Sequence, residues 1–276
     1  MTNAPHTGAI TGTIAVVLAA QRTGVINPLA ERAGVSHKCL APIGTGSDRR
    51  ALIRHVLDTL VRVPDLAAIR ISIEPDAHDA LGPVIADYAR YDVPISLVSS
   101  DDIIVTSVEQ ATIGTNGPVL ITTADNVLLT QDAVRLVREA VREADAVIGV
   151  AREDRVKAAH ADGQRNFYPL SDGGIANCNL YALRSRDALK AAEVFREGGQ
   201  FMKNPGRMVR AFGLFNLVLL RLGWLKLDAA MDRLGRKLGL TIKAVAFEDG
   251  ALAIDVDNER TYAVCEELLP TRPAKG

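Results

Sequence analysis

The chain lacks the cysteine pattern of a disulfide scaffold or a zinc site. Cys39, Cys178 and Cys265 are its only cysteines, far apart, odd in number and without any C-x-x-C spacing, which points to a reducing cytoplasm. It also lacks excess charge of either sign. With 32 basic and 33 acidic residues the formal net charge is −1, so no global field draws nucleic acid, which is not among the expected partners. Aromatics are scarce at 4%, which leaves the core to Leu, Val, Ile and Ala. Residues 1–13 show no basic region or long apolar run of the signal-peptide kind. Segment 208–227 is rich in Leu and Phe but is interrupted by Arg210, Arg221 and Lys226. That suits a buried or interfacial helix pair rather than a bilayer core, and leaves open a weak membrane contact or a lipid-linked substrate. Gly-x-Gly-x-x-Gly is missing after the first apolar run, since Gly44-Thr45-Gly46 comes later and has no third glycine at the required spacing, and no Gly-x-Ser-x-Gly is present. These absences argue against a dehydrogenase and a serine hydrolase.

What is present is alternation. Apolar runs at 14–19, 68–73, 95–98, 118–123 and 146–151 read as strands. Between them, 51–61 carries Leu52, Ile53, Val56, Leu57 and Leu60 at helical spacing, and 83–91, 107–113 and 131–144 read as further helices. Residues 21–38 read as a long loop. This order predicts an α/β fold of three layers, helices covering both faces of a mainly parallel, mixed sheet. Beyond 151 the rhythm changes to a polar stretch up to Gly174, a strand at 178–183, helices within 186–238 and strands at 242–247 and 252–254. A last helix, 259–269, follows Asp257 or Asn258 as its cap. There is no internal repeat and no low-complexity linker, so residues 1–276 are expected to form one domain with a helical elaboration at about 186–240.

Four clusters carry the candidate chemistry. In Val119-Leu120-Ile121-Thr122-Thr123-Ala124-Asp125-Asn126 a carboxylate follows a buried strand and precedes a helix. Ligands of open α/β sheets gather beyond the carboxyl ends of the strands, and Mg²⁺ takes one or two carboxylates plus phosphate oxygens. Asp125 is therefore the candidate metal ligand, although turning the chain or capping a helix would also account for it. Leu18-Ala19-Ala20-Gln21-Arg22 leaves the first strand with backbone N–H groups free to meet phosphate, and Lys38 can neutralise that phosphate as a point charge. Asp255-Val256-Asp257 would put two carboxylates on one face of an extended segment. Lys203 and Arg207 add cations suited either to a phosphate or to a solvated helix start. His37, His55, His78 and His160 form no metal or triad spacing.

These pieces resemble the nucleotidyltransferases of GT-A-like fold, in particular the group built on the molybdenum cofactor guanylyltransferase domain. The resemblance lies in Leu18-Ala19-Ala20, in Lys38-Cys39-Leu40-Ala41-Pro42 and in the placement of Asp125, and covers about the first two thirds of the chain plus Asp255-Val256-Asp257. It implies Mg²⁺ held by Asp125 with Asp255 or Asp257, and Lys38 and Arg22 on the triphosphate. It further implies a base-side loop at Thr106-Ser107 and a sugar-contacting Asn, at Asn177 or Asn179. The partners implied are a nucleoside triphosphate and a phosphorylated small molecule, with pyrophosphate released. Gln21 departs from the pattern, standing where such chains have glycine. The same architecture also serves glycosyltransferases with nucleotide-sugar donors, and a chain altered at Gln21 would also suit a non-catalytic nucleotide-binding regulator.

Overall fold

A computed structural model describes residues 9–21, 27–189 and 224–272. Most of the segment 208–227, together with Arg22, Lys203 and Arg207, lies outside the described residues. Among the described residues no helix is long and apolar enough to cross a membrane.

Among the described residues seven strands form one sheet: β1 (Thr13–Leu18), β4 (Leu66–Ile73), β5 (Ile95–Ser99), β6 (Val119–Thr123), β7 (Ala146–Arg152), β8 (Ile175–Leu183) and β9 (Ile242–Phe247). Their order is β5-β4-β1-β6-β8-β7-β9. Only β8 is antiparallel, to β6 on one side and β7 on the other. Val, Ile and Leu dominate β1 and β6, which sit at the centre and bury nearly every side chain, as a sheet covered on both faces requires. Helices α2 (Leu52–Leu60), α5 (Gln131–Ala140) and α8 (Glu259–Leu268) carry the large core on one side. A smaller core beneath α4 (Ile104–Ala111) and α7 (Leu227–Leu238) covers the other. The three-layer mixed α/β fold expected from the sequence is the fold observed.

The differences lie at element boundaries and each has a local cause. The expected loop 21–38 contains a helix, α1 (Pro28–Ala33), and a 3₁₀ turn at Lys38–Leu40. The Asn27 side chain accepts from Leu29 N–H, Pro28 opens α1, and Gly34 closes it at φ 66°. Proline and glycine thus mark the ends of a short helix here instead of breaking one. Helix α3 (His78–Ala86) begins five residues before the expected start at 83 and holds Pro83 inside its last turn. The polar stretch after 151 starts with helix α6 (Glu153–Ala159). The expected strand 252–254 is a 3₁₀ turn, Gly250–Ala253, opened by Asp249, whose side chain accepts from Ala251 N–H. A two-residue hairpin, β2 (Pro42–Ile43) with β3 (Arg50–Ala51), was too short to leave a pattern. Asn258, not Asp257, caps α8, in a capping box with Thr261.

The Gly250 turn leads straight into Asp255, and its glycine is enforced by contact. A Cβ at Gly250 would stand 2.1 Å from the carbonyl oxygen of Arg155. Backbone cannot step aside as a flexible side chain can, so Gly250→Ala is expected to destabilise by about 2–3 kcal/mol, the usual cost of overpacking. A urea midpoint equal to that of the wild type would contradict this.

Candidate active site

Three parallel strands finish on one edge of the sheet, and each hands over to a polar residue. Leu18 at the end of β1 pairs with Ser72 on one side and Thr123 on the other. Ala19 N–H donates to Ser72 O and Ala124 N–H to Leu18 O, both at 2.9 Å, which continues the ladder past the strands proper. From this ledge rise Gln21 after β1, Glu74 after β4 and Asp125 after β6.

Lys38, at the start of its 3₁₀ turn, donates from Nζ to Asp125 Oδ2. Asp125 Oδ1 is buried and has no hydrogen-bond partner. Val256 N–H donates to the main-chain oxygen of Asp125 at 3.2 Å, which ties the extended segment 255–257 beside it. Asp255 is 7% exposed. Its Oδ2 accepts from Asn179 Nδ2 at 2.6 Å, while its Oδ1 is buried without a partner. Asp257 stands in the same segment with an exposed side chain. The structure thus brings together Lys38, Asp125, Asp255, Asp257 and Asn179.

The electrostatics follow from three carboxylates sharing one ammonium. Burial, then the charges of Asp125 and Asp257, pushes the Asp255 carboxyl well above 3.8, against the opposing pull of Lys38 and the Asn179 hydrogen bond. Although Asp257 as a residue is open to solvent, crowding of its carboxyl by the cluster and then the charge of Asp125 raise it as well, with Lys38 and Arg260 opposing. For Lys38, burial pulls downward, but Asp125, Asp257 and Asp255 outweigh it and hold the ammonium above its usual 10.5. An acid whose proton is held more tightly folded than unfolded favours the fold at low pH and loses that contribution as pH rises. In chelated protein, Asp255→Asn is therefore expected to gain stability over the wild type as pH climbs from about 4 towards 8, with the gap closing near the ordinary carboxylate range. Thermal melts across that range test this, and a gap that widens towards acid would contradict it.

Two orphaned buried carboxylate oxygens beside an uncompensated negative charge suit a hard divalent cation. Among the described residues no three or more His, Cys, Asp or Glu side chains are assembled as a ready metal cage. Two carboxylates are within the one or two that Mg²⁺ usually takes from a protein before water and phosphate complete its shell.

Asn179 reaches Asp255 because β8 is bulged. Tyr181 pairs with Ile148 and Asn177 with Val150, so Cys178, Asn179 and Leu180 all face Gly149. Asn179 sits at φ 45°, a left-handed conformation that Asn tolerates better than most residues. A Cβ on Gly149 would meet the carbonyl oxygen of Leu180 at 3.0 Å and the Phe247 ring at 2.7 Å, so glycine there leaves room for the bulge. Asn177 Nδ2 donates to Asn179 Oδ1 at 2.9 Å and to the Tyr181 hydroxyl at 2.5 Å. The two asparagines therefore act in one chain, with Asn179 towards Asp255 and Asn177 behind it.

The other residues singled out in the sequence are placed differently. Leu18 ends β1, Ala19 is buried and Ala20 is exposed, all on the ledge. Thr106 and Ser107 are within α4, not in a loop. Ser107 is buried, its hydroxyl accepting from Asp101 N–H at 2.8 Å and donating to Asp101 O at 3.0 Å, and its own N–H donates to Ile103 O. Those groups hold the turn before α4 and are not offered to a base. The sequence reading missed Glu74, which accepts from Gln21 N–H at 2.7 Å and lies 3.6 Å from His37 Nε2. The rule that selected Asp125, a carboxylate just past a buried strand, selects Glu74 after β4 as well.

Neither a protein-family model nor a curated protein sequence matches the chain. Solved structures do. A hypothetical transferase from Thermus thermophilus superposes with a TM-score of 0.71 and 26% identity, over 92% of this chain and 100% of that one. The 4-diphosphocytidyl-2C-methyl-D-erythritol synthase of Anaerococcus prevotii gives a TM-score of 0.58 at 13% identity, over 94% and 96%. A CMP:2-keto-3-deoxy-manno-octonic acid synthetase complexed with CTP gives 0.55 at 13%, over 95% and 99%. The chain has the nucleotide-diphospho-sugar transferase fold. In this GT-A-like architecture the polar cluster lies where ligands of open α/β sheets gather, past the carboxyl ends of the parallel strands.

Proposed function

We propose that the chain is a nucleotidyltransferase, moving a nucleoside monophosphate from a Mg²⁺-bound nucleoside triphosphate to a phosphorylated small molecule and releasing pyrophosphate. The observation that carries the proposal is the meeting of Lys38, Asp125 and Asp255 at the carboxyl edge of the sheet, with one oxygen of each carboxylate left without a partner. The names of the superposed synthase and synthetase, and the CTP bound to the latter, support the same reaction class.

Asp125 and Asp255 would hold the cation, Asn179 fixing the Asp255 carboxylate through Oδ2 and leaving Oδ1 without a protein partner. The cation would supply charge neutralisation on the triphosphate oxygens. Lys38, kept charged by its acidic neighbours, is the side chain to neutralise the pyrophosphate leaving group. An attacking phosphate oxygen is already anionic, so no side chain need remove a proton. The work left to the protein is alignment and charge stabilisation.

Purified protein should be incubated with Mg²⁺ and each of ATP, CTP, GTP and UTP in turn, against a panel of phosphorylated sugars, polyols and cofactor precursors, with pyrophosphate measured. Release that needs one triphosphate and one acceptor is the expected result. Triphosphate binding without release from any pair would move the assignment to a nucleotide-sugar glycosyltransferase or a non-catalytic binder.

A further inference from the structure

Gln21 stands where a bulky side chain would be expected to crowd an approaching phosphate. Its carboxamide is instead turned back onto the protein. Nε2 donates to Ser36 O at 3.0 Å and Oε1 accepts from Lys38 N–H at 3.4 Å. One donor and one acceptor thus meet the backbone on both sides of His37, the pairing that a neighbouring strand residue gives through its peptide group. The main-chain N–H of Gln21 donates to Glu74 Oε1 at 2.7 Å. Glu74 Oε2 faces His37 Nε2 at 3.6 Å, and His37 is 6% exposed. All three polar groups described for Gln21 are engaged, by Glu74 past the end of β4 and by the backbone on both sides of His37.

We propose that Gln21 is a positioning residue, whose side-chain amide pairs with the backbone around His37 and so holds Lys38 where its ammonium meets Asp125. The role rests on the nucleotidyl-transfer reading for its consequence in turnover, but the clamp itself is a property of the folded chain. Lys38 has a long, flexible stem whose ordering costs rotamer freedom. Fixing the backbone at its base is what makes one ammonium position recur. Only two hydrogen bonds reach that backbone from Gln21, so the loss of the amide should be felt at once.

The test uses Gln21→Met, which keeps the length of the side chain and removes both amide hydrogen bonds, and Gln21→Gly, which also removes the bulk. Hydrogen exchange of the Lys38 amide reads the clamp without any substrate, and about tenfold faster exchange is expected in both variants. For pyrophosphate release, kcat should fall about tenfold in both, with KM for the triphosphate changed much less. In a Lys38→Ala background neither change at Gln21 should lower kcat further, because a residue that acts through Lys38 has nothing left to position. Unchanged exchange in Gln21→Met, additive losses with Lys38→Ala, or faster turnover in Gln21→Gly would each overturn the proposal. A wild-type protein that releases no pyrophosphate from any substrate pair would sink the nucleotidyl-transfer reading instead, and the exchange measurement would still decide the clamp.

Discussion

Asp125→Asn is expected to lower pyrophosphate release by at least about 10³-fold while leaving the protein folded. The change keeps the shape of the side chain and its place past β6, but removes the charge from the buried oxygen that has no partner and from the one that meets Lys38. Activity falls because a neutral amide is a poor ligand for a hard cation. Stability should hold, because the loss of the Lys38 pair is offset by relief of repulsion on Asp255 and Asp257, both of whose carboxyls the Asp125 charge helps to raise. Steady-state pyrophosphate release and a thermal melt on the same preparation test both halves. Activity within tenfold of the wild type would remove Asp125 from the centre of the mechanism, and a collapsed melt would return it to a structural role.

Lys38→Met should lower kcat by about 10²–10³-fold, the range for loss of one group that stabilises transition-state charge. Unlike Asp125→Asn, it should also cost stability. Removing the ammonium leaves three acidic groups facing one another without the cation that now opposes the upward shift of two of them, and one-sided removal from a partly buried pair is the unfavourable way to break it. In chelated protein Lys38→Met should therefore melt below the wild type, and added Mg²⁺ should recover part of the loss if the carboxylates bind it. If both Asp125→Asn and Lys38→Met destabilised equally, with no response to Mg²⁺, the cluster would read as an ordinary ion pair.

Much of this was legible in the chain because the fold obeys simple periodicity. Strands β1, β6 and β9 were placed to within a residue or two, since buried parallel strands write themselves as short apolar runs ended by small or polar residues. The signals at 21–38 and 252–254 failed for a different reason. Asn27, Pro28 and Gly34 read as loop residues when counted, and as helix boundaries only when their order is considered. The apolar Leu252, Ala253 and Ile254 are buried by being wrapped in a turn, which period alone does not separate from a strand. At the site, Asp125 and Lys38 stood out individually, but their pairing spans 87 positions and follows only from strand order. Gln21 was the least legible. A residue that looks like an obstacle in sequence is a connector once its partners at 36, 38 and 74 are in place.

The bulge in β8 restricts how this chain can change length. Between its two registered pairs β7 advances by two residues and β8 by four. Both counts are even, so the residues on either side of the bulge keep to their own faces of the sheet, as the period of two demands. Removing or adding a single residue among 177–180 would exchange the two faces of the sheet along the start of the strand, sending Ala176 towards the face now held by Ile175 and Asn177. Related chains should therefore differ there by pairs of residues or not at all, and a library of single-codon deletions through β8 should be purged at those positions while two-codon deletions survive as folded protein.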